Sequence, residues 1–174
     1  MIYPHEVLAT KAEPVKKIDG AFQSFVDSMI TTMYAAKGVG LAANQVGSLK
    51  RVLVMDVTPS EEGPNPIVIV NPVITASEGS EKAEEGCLSV PGYSASLVRP
   101  AMIEVKGYDR HGKEIRLEGG GLLARCVQHE LDHLDGICFV ERLSPLKKSL
   151  FRKKWAKIRP VEDEILATEL TEGE

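Results

Sequence analysis

His129, Glu130 and His133 lie within the stretch QHELDHLDG, and their types and spacing suit metal chemistry. Histidines four positions apart on a helix lie one above the other, about 6 Å apart along the axis, so both imidazoles can bind one ion. Glu130 follows the first histidine directly, which turns its carboxylate toward the same cleft as a base rather than as a ligand. The alternative is an ordinary surface helix that is rich in histidine and glutamate and needs no metal.

A catalytic metal site of this kind needs a third protein ligand and an open position for water. Zinc peptidases with this helix motif take another histidine or a glutamate downstream, but LDGICFVERL contains no histidine. Glu141 is too close to the helix to fold back, and the acidic run from Glu162 to Glu164 is typical of a solvated tail. The downstream residues therefore give no convincing third ligand.

The cysteines offer a better candidate. Cys126 lies a full turn before the histidines and Cys138 stands in an apolar run, so we interpret both as packing residues. Cys87 lies in EEGCLSVPG, where Gly86 and the Pro91-Gly92 pair indicate an irregular, turn-like segment outside the helix. A thiolate beside two imidazoles suits Zn²⁺ or Fe²⁺, and Cys87 is therefore the favoured third ligand.

The elements that position these residues can be predicted from periodicity. Apolar residues at three- and four-residue steps predict an N-terminal helix from Asp19 to Lys37, with Asp19 as its cap. The segment LLARCVQHELDHLDG predicts a second helix, ended by Gly136, and a third helix is expected after Pro145, with Leu146, Leu150, Trp155 and Ile158 at near-helical spacing. Alternating β-branched segments predict strands at 51–57, 67–75, 101–109 and 113–119, the last two joined by a hairpin turn at 109–112.

The second helix has one apolar stripe, formed by Leu123, Val127, Leu131 and Leu134. Its opposite face is expected to meet solvent and carries Arg125, Gln128, Asp132 and Asp135. His129 and His133 fall between the two faces, at the edge of the core. The predicted fold class is α+β, with antiparallel β-sheets around a central helix that carries the histidines, an N-terminal helix and a C-terminal helix.

Length and composition indicate one domain at residues 1–160, followed by an acidic tail at 161–174. A net charge of −4 gives no general reason to bind DNA, and no apolar run suits a membrane. An odd number of cysteines fits reduced thiols, so we expect a cytoplasmic protein. A bacterial cytosol is the simplest origin, and a processed organellar or viral copy is the alternative.

Three segments in order, GVGLAANQ, EGCLS and QHELDH, resemble the signature motifs of the peptide deformylases. The resemblance spans residues 1 to about 159. It implies hydrolysis of the N-terminal formyl group of formyl-methionyl nascent polypeptides, with release of formate. By resemblance the metal ligands are Cys87, His129 and His133, and the ion is Fe²⁺, with Zn²⁺, Ni²⁺ or Co²⁺ as substitutes.

The same resemblance implies catalytic and binding roles. Glu130 is the general acid and base, and the Gln45 amide and the Leu88 backbone N–H stabilise the oxyanion. The substrate backbone is expected beside Val39 and Gly86. The remaining substrate-binding candidates are Gly40, Leu122, Arg125 and Cys126, with the Arg125 stem expected to cover the pocket mouth. Arg99 is expected to form a structural ion pair.

Two alternatives to this function are a metallopeptidase and a non-catalytic, ribosome-associated metal-binding module.

Between Pro145 and Pro160 lie seven basic residues and no acidic one. The resemblance permits this basic helix to contact ribosomal RNA, and a docked helix with a solvated basic face is the alternative.

Overall fold

The structure, a computed structural model, describes residues 1–58 and 62–171. Its α-helices are α1 (Gly20–Ala35), α2 (Gly121–Leu134) and α3 (Pro145–Thr171). Its strands are β1 (Gly40–Ala42), β2 (Val52–Met55), β3 (Ile67–Glu78), β4 (Glu81–Cys87), β5 (Val90–Arg99), β6 (Met102–Tyr108) and β7 (Glu114–Gly120). The predicted α+β class is confirmed.

All strand pairs within the two sheets are antiparallel. A five-stranded sheet has the order β1-β2-β3-β6-β7, and β4 pairs with β5 in a separate two-stranded sheet. The predicted turn between β6 and β7 forms because the Asp109 carboxylate accepts the backbone N–H groups of His111 and Lys113. The irregular segment expected around Cys87 is wrong in part, since Cys87 ends β4 and is paired with Val90 of β5.

Helices α1 and α2 cover opposite faces of the five-stranded sheet. Strand β2 shows why, because all four of its residues are buried and alternate between two clusters. Val52 and Val54 pack with the apolar face of α1, whereas Leu53 and Met55 pack with α2. The helix that carries the histidines is therefore central, as predicted, and its surroundings hold it rigidly.

The start of α1 and the end of α2 follow the local sequence signals. The Asp19 carboxylate accepts the Phe22 N–H at 3.0 Å and caps α1. At the end of α2, Gly136 takes a φ of 75°, its N–H donates to His133 O, and Ile137 N–H donates to Asp132 O. This pair of hydrogen bonds ends the helix directly after the histidines and favours glycine at its left-handed position.

Helix α3 packs beside the β4–β5 sheet through part of the expected set, since Trp155 is buried and Ile158 packs against the same cluster. Phe151 and Trp155 are buried, whereas Leu146 and Leu150 are 71% and 57% exposed. The prediction overlooked Phe151, which lies one turn before Trp155. The predicted acidic tail overlaps the end of α3 and residues 172–174, which lie outside the described residues, so its separation from the domain stays a prediction. No helix within the described ranges is long and apolar enough to cross a membrane.

Candidate metal centre

Helix α2 and the end of β4 bring three potential ligands together. The ligand atoms of Cys87, His129 and His133 all lie within 4.8 Å of one another. Cys87 Sγ lies 3.2 Å from His133 Nε2. A thiolate and two imidazoles converging on one point form a donor set that suits a tetrahedral divalent ion with one open position.

The surroundings orient one imidazole and keep the other neutral. His129 Nδ1 lies 3.0 Å from Glu85 Oε2, so a proton on Nδ1 leaves Nε2 free to bind an ion. His133 is fully buried, and burial followed by the nearby charge of His129 lowers its pKa to about 3. A neutral His133 is the form that binds metal.

The Glu130 carboxylate is buried beside these ligands. Its side chain shares the cleft with Cys87 and His129, and Oε2 makes no hydrogen bond within the described part of the chain. Burial raises the pKa of Glu130 to about 7. Because a Cβ atom at Gly40 would lie 2.6 Å from Glu130 Oε1, only glycine leaves room for this carboxylate. Glu130 can therefore take up and release a proton near neutral pH.

Gln45 presents its amide N–H groups to the same point. Its Oε1 accepts the Ala42 N–H at 2.9 Å, which fixes the orientation of the amide. Its Nε2 lies 3.2 Å from Ser89 Oγ and 3.6 Å from Cys87 Sγ. Leu88, next to Cys87, lines the cleft as well. The predicted oxyanion donors thus lie beside the candidate ligands.

One cleft contains these groups and the predicted substrate-binding residues. Its walls are set by edge strand β1 and by β4, which pairs only with β5. Val39 and Leu122 are 46% and 53% exposed at the cleft, whereas Cys126 is buried with Sγ 3.5 Å from Val39 O. The predicted substrate-binding residues that line it are Val39, Gly40, Gly86, Leu122, Arg125 and Cys126.

Behind the candidate ligands lies a cluster of charges that we call the Glu85 network, made of Glu85, Arg99, Arg125, Asp132 and Arg142, of which Arg142 alone is exposed. Arg99 donates to both oxygens of Glu85, at 2.5 and 2.9 Å, and to Asp132 Oδ2 at 2.8 Å. Arg142 donates to Asp132, and Arg125 donates to Glu85. Burial raises the pKa of Glu85, but the bonds from His129 and Arg99 outweigh it and hold that pKa well below its usual range.

This network corrects one prediction and extends another. The solvent-facing side expected for α2 is wrong, because Gln128 and Asp132 are buried and the Arg125 side chain is only 11% exposed. Arg99 forms the structural ion pair that was expected. The roles of Glu85 and Ser89 were missed, although both stand within two residues of Cys87, where partners of a metal ligand are common.

Comparison with known proteins agrees with this geometry. The family profile described as polypeptide deformylase matches residues 1–149. The peptide deformylase of Thermodesulfovibrio yellowstonii is 56% identical over 153 residues, which cover 88% of this chain and 93% of that protein. A crystal structure of a peptide deformylase from Legionella pneumophila aligns with a TM-score of 0.87 and 44% identity over 94% of this chain and 95% of that chain. A crystal structure of a peptide deformylase from Synechococcus elongatus in complex with actinonin aligns with a TM-score of 0.83 and 41% identity. The alignment covers 88% of this chain and 85% of that chain.

Proposed function

The chain belongs to the peptide deformylase family, and on that basis we propose that Glu130, Gln45 and Leu88 carry out the family's reaction in the cleft described above. The protein is a metal-dependent hydrolase that removes the N-formyl group from nascent formyl-methionyl polypeptides. One observation supports this assignment of residues: a buried Glu130 oxygen with no hydrogen-bond partner among residues 1–58 and 62–171 lies beside three converging ligand atoms. The alternatives of a metallopeptidase and a non-catalytic module receive no support from the relatives.

Cys87, His129 and His133 are the proposed ligands, and Fe²⁺ is the proposed ion, with Zn²⁺, Ni²⁺ or Co²⁺ as substitutes. The soft donor set of one thiolate and two imidazoles fits these ions better than Mg²⁺ or Ca²⁺. When bound, such an ion supplies Lewis-acid activation of a water molecule and of the formyl carbonyl.

Glu130 accepts the proton of the attacking water and later donates it to the departing amine nitrogen. A pKa of about 7 gives both protonation states comparable populations at neutral pH, so neither transfer is strongly uphill. The Gln45 Nε2 group and the Leu88 N–H donate hydrogen bonds to the oxygen on which negative charge develops. The Gln45 amide is fixed before the reaction by its bond from Ala42 N–H, which avoids reorganisation in the transition state.

The methionine side chain of the substrate is proposed to enter the pocket lined by Val39, Leu122 and Cys126. The substrate backbone would run beside Val39 and Gly86, where two strand edges face the cleft. The close packing of Glu130 against Gly40 narrows the site around the reacting carbon. This narrowing favours a formyl group, whose carbon bears only hydrogen, over longer acyl groups.

The test begins with protein purified without oxygen, whose bound metal is measured. Formate release from a formyl-Met peptide is then compared with cleavage of the same peptide without its formyl group. We expect formate release alone, and cleavage without formate release would contradict the proposed function. A Cys87→Ala variant should bind less than about a tenth of the wild-type metal, because it lacks the only proposed thiolate ligand. Full Fe²⁺ content in that variant would remove Cys87 from the ligand set.

The second proposal is that α3 contacts ribosomal RNA while the chain acts on nascent polypeptides in a bacterial cytoplasm. Lys153 and Lys157 are exposed and lie one turn apart on α3, which suits contact with phosphates. By contrast, Lys147 donates to Ser96 O and Lys148 pairs with Glu141. A Lys153→Glu, Lys157→Glu variant should pellet less with ribosomes at low salt than the wild type, and equal pelleting would contradict this contact.

A further inference from the structure

Arg125 and His129 are linked through a single carboxylate. They stand four positions apart on α2, so their side chains leave the same face of the helix one turn apart. Arg125 Nη1 donates to Glu85 Oε1 at 2.7 Å, and His129 Nδ1 lies 3.0 Å from Glu85 Oε2. Glu85 belongs to β4, so this carboxylate ties both residues of the helix to the strand that ends at Cys87.

The hydrogen-bonding capacity of Glu85 is filled. Arg99 Nε donates to Oε1 and Arg99 Nη2 donates to Oε2, in addition to the bonds from Arg125 and His129. An ionised carboxylate accepts about four hydrogen bonds, two on each oxygen. Each oxygen therefore has two donors, and the N–H groups of Arg99 and Arg125 together set the orientation that directs Oε2 at His129.

Arg125 is itself fixed at both ends of its guanidinium. Its Nη2 donates to Glu81 O at 3.0 Å, and its side chain is 11% exposed beside a Glu85 side chain that is 3% exposed. The planar guanidinium can bond a backbone carbonyl and a carboxylate at once, which a lysine ammonium on a flexible stem does less well. Arg125 also lines the proposed substrate cleft.

We propose that Arg125 is a positioning residue that holds the metal ligand His129 in place through Glu85, in addition to forming part of the cleft wall. This inference rests on the proposed function, because it assigns His129 to the metal. Loss of Arg125 leaves Glu85 Oε1 with the Arg99 Nε donor alone, so the carboxylate is held less firmly and its bond to His129 Nδ1 is less well fixed. Changes in such outer partners of a metal ligand typically weaken metal binding about 10–100-fold.

The test measures metal affinity directly, by competition between the metal-free protein and a chelator for Co²⁺ or Zn²⁺. Arg125→Leu keeps an apolar wall but removes the hydrogen bonds of the guanidinium, and its metal dissociation constant should rise about 10-fold. Arg125→Lys should lie between this variant and the wild type. The control is Leu122→Ala, which alters the same cleft without touching Glu85, and which should raise KM but leave the metal dissociation constant unchanged.

A double-mutant cycle with Glu85 distinguishes an effect of Arg125 through Glu85 from a general loss of structure. In a Glu85→Gln background, Arg125→Leu should weaken metal binding little further, because the residue through which it acts is already impaired. If Arg125→Leu has a raised KM but the wild-type metal dissociation constant, the proposal is wrong and Arg125 only lines the cleft. Should that variant not fold, the same result in Arg125→Lys would overturn it. Formate release by the wild-type enzyme tests the proposed function separately, whatever the metal affinities show.

Discussion

The cleft and the Glu85 network lie at the same depth but satisfy their polar groups in opposite ways. Glu130 and Glu85 are 4% and 5% exposed. Glu85 receives hydrogen bonds from Arg99 and Arg125 and contacts His129, whereas Glu130 Oε2 and His133 Nδ1 have no hydrogen-bond partner among the described residues. An unpaired buried polar group costs about 1–3 kcal/mol, and Glu130 Oε2 is such a group in the cleft, where a reactant can complete it. The charged residues of the Glu85 network have hydrogen-bond partners instead, and they keep the neighbouring His129 in position.

The same contrast decides the charge of each carboxylate. Burial raises the pKa of Glu130 to about 7, because few donors compensate for the loss of water. Glu85 experiences burial too, but its donors keep its pKa well below the usual range. One glutamate can therefore exchange a proton at neutral pH while the other stays an anion that orients His129.

The sharpest test of this comparison removes the carboxylate of the cleft. Glu130→Ala should lower kcat by about 10³-fold, because no other group assigned to the cleft takes the proton of water. Metal content should stay at the wild-type level, since Glu130 is not a proposed ligand. Kinetic assay and metal analysis of one sample check both parts. Glu130→Gln, which keeps the size of the side chain, should show the same loss, and near-normal turnover in it would contradict the assignment.

A matched test removes a carboxylate from the Glu85 network. Asp132→Ala leaves Arg99, which is 5% exposed, without one of its two anionic partners, so the free energy of unfolding should fall by about 3 kcal/mol. Urea denaturation of the metal-free protein measures this loss. Asp135→Ala is the control, since its partner Arg51 forms an ion pair in which the Asp135 side chain is 36% exposed, and its loss should stay under about 1 kcal/mol. Equal losses would mean that burial in the network adds nothing.

The boundary of the cleft can be tested at Gly40. A Cβ atom there would lie 2.6 Å from both Glu130 Oε1 and Cys126 Sγ, so Gly40→Ala must displace the Glu130 carboxylate. Displacement by up to about 1 Å should reduce kcat/KM by up to about 10²-fold. Gly20→Ala in α1 is the control, because a Cβ atom at Gly20 would meet no heavy atom within 4 Å. An unchanged rate in Gly40→Ala would show that Glu130 tolerates another position.

Much of the cleft could be predicted from the sequence, because its parts are local. The periodicity of α2 places His129 and His133 on one side, and Gly136 ends the helix as expected. The third ligand followed from the types of residue that a metal accepts rather than from distance along the chain. Motif order then connected GVGLAANQ, EGCLS and QHELDH, and the structure brings these segments to one cleft.

The Glu85 network could not be predicted in the same way, because it depends on contacts between distant residues. A helical wheel assigns Asp132 and Arg125 to solvent, whereas β4 and β5 bring Glu85 and Arg99 across that face. Strand β4 itself lacks the alternation of apolar residues that marks a strand, since EKAEEGC is mainly charged or small. Its pairing with β5 and its ion pairs to α2 supply what local propensity does not.

The smallest effect is expected at a satisfied polar pair that lies outside both regions. Tyr34 OH donates to Asp56 Oδ2 at 2.5 Å near the surface, and Asp56 also accepts the N–H groups of Thr58 and Asn65. Desolvation raises the pKa of Asp56, but these bonds outweigh it and lower that pKa from 3.8 to about 2. Desolvation and the bond to Asp56 raise the pKa of Tyr34 from 10.0 to about 12.

Tyr34→Phe should therefore lower the free energy of unfolding only within a bounded pH range. The bond needs an ionised Asp56 and a protonated Tyr34, so its contribution is fully present above pH 3.8 and below pH 10.0. The difference between wild type and variant should shrink as pH falls toward about 2 and as pH rises toward about 12. Urea denaturation at about pH 3, about pH 7 and about pH 11 measures the stability difference in the acidic, neutral and alkaline ranges. A difference that stays constant across all three would mean that lost packing, and not the charged hydrogen bond, accounts for the change.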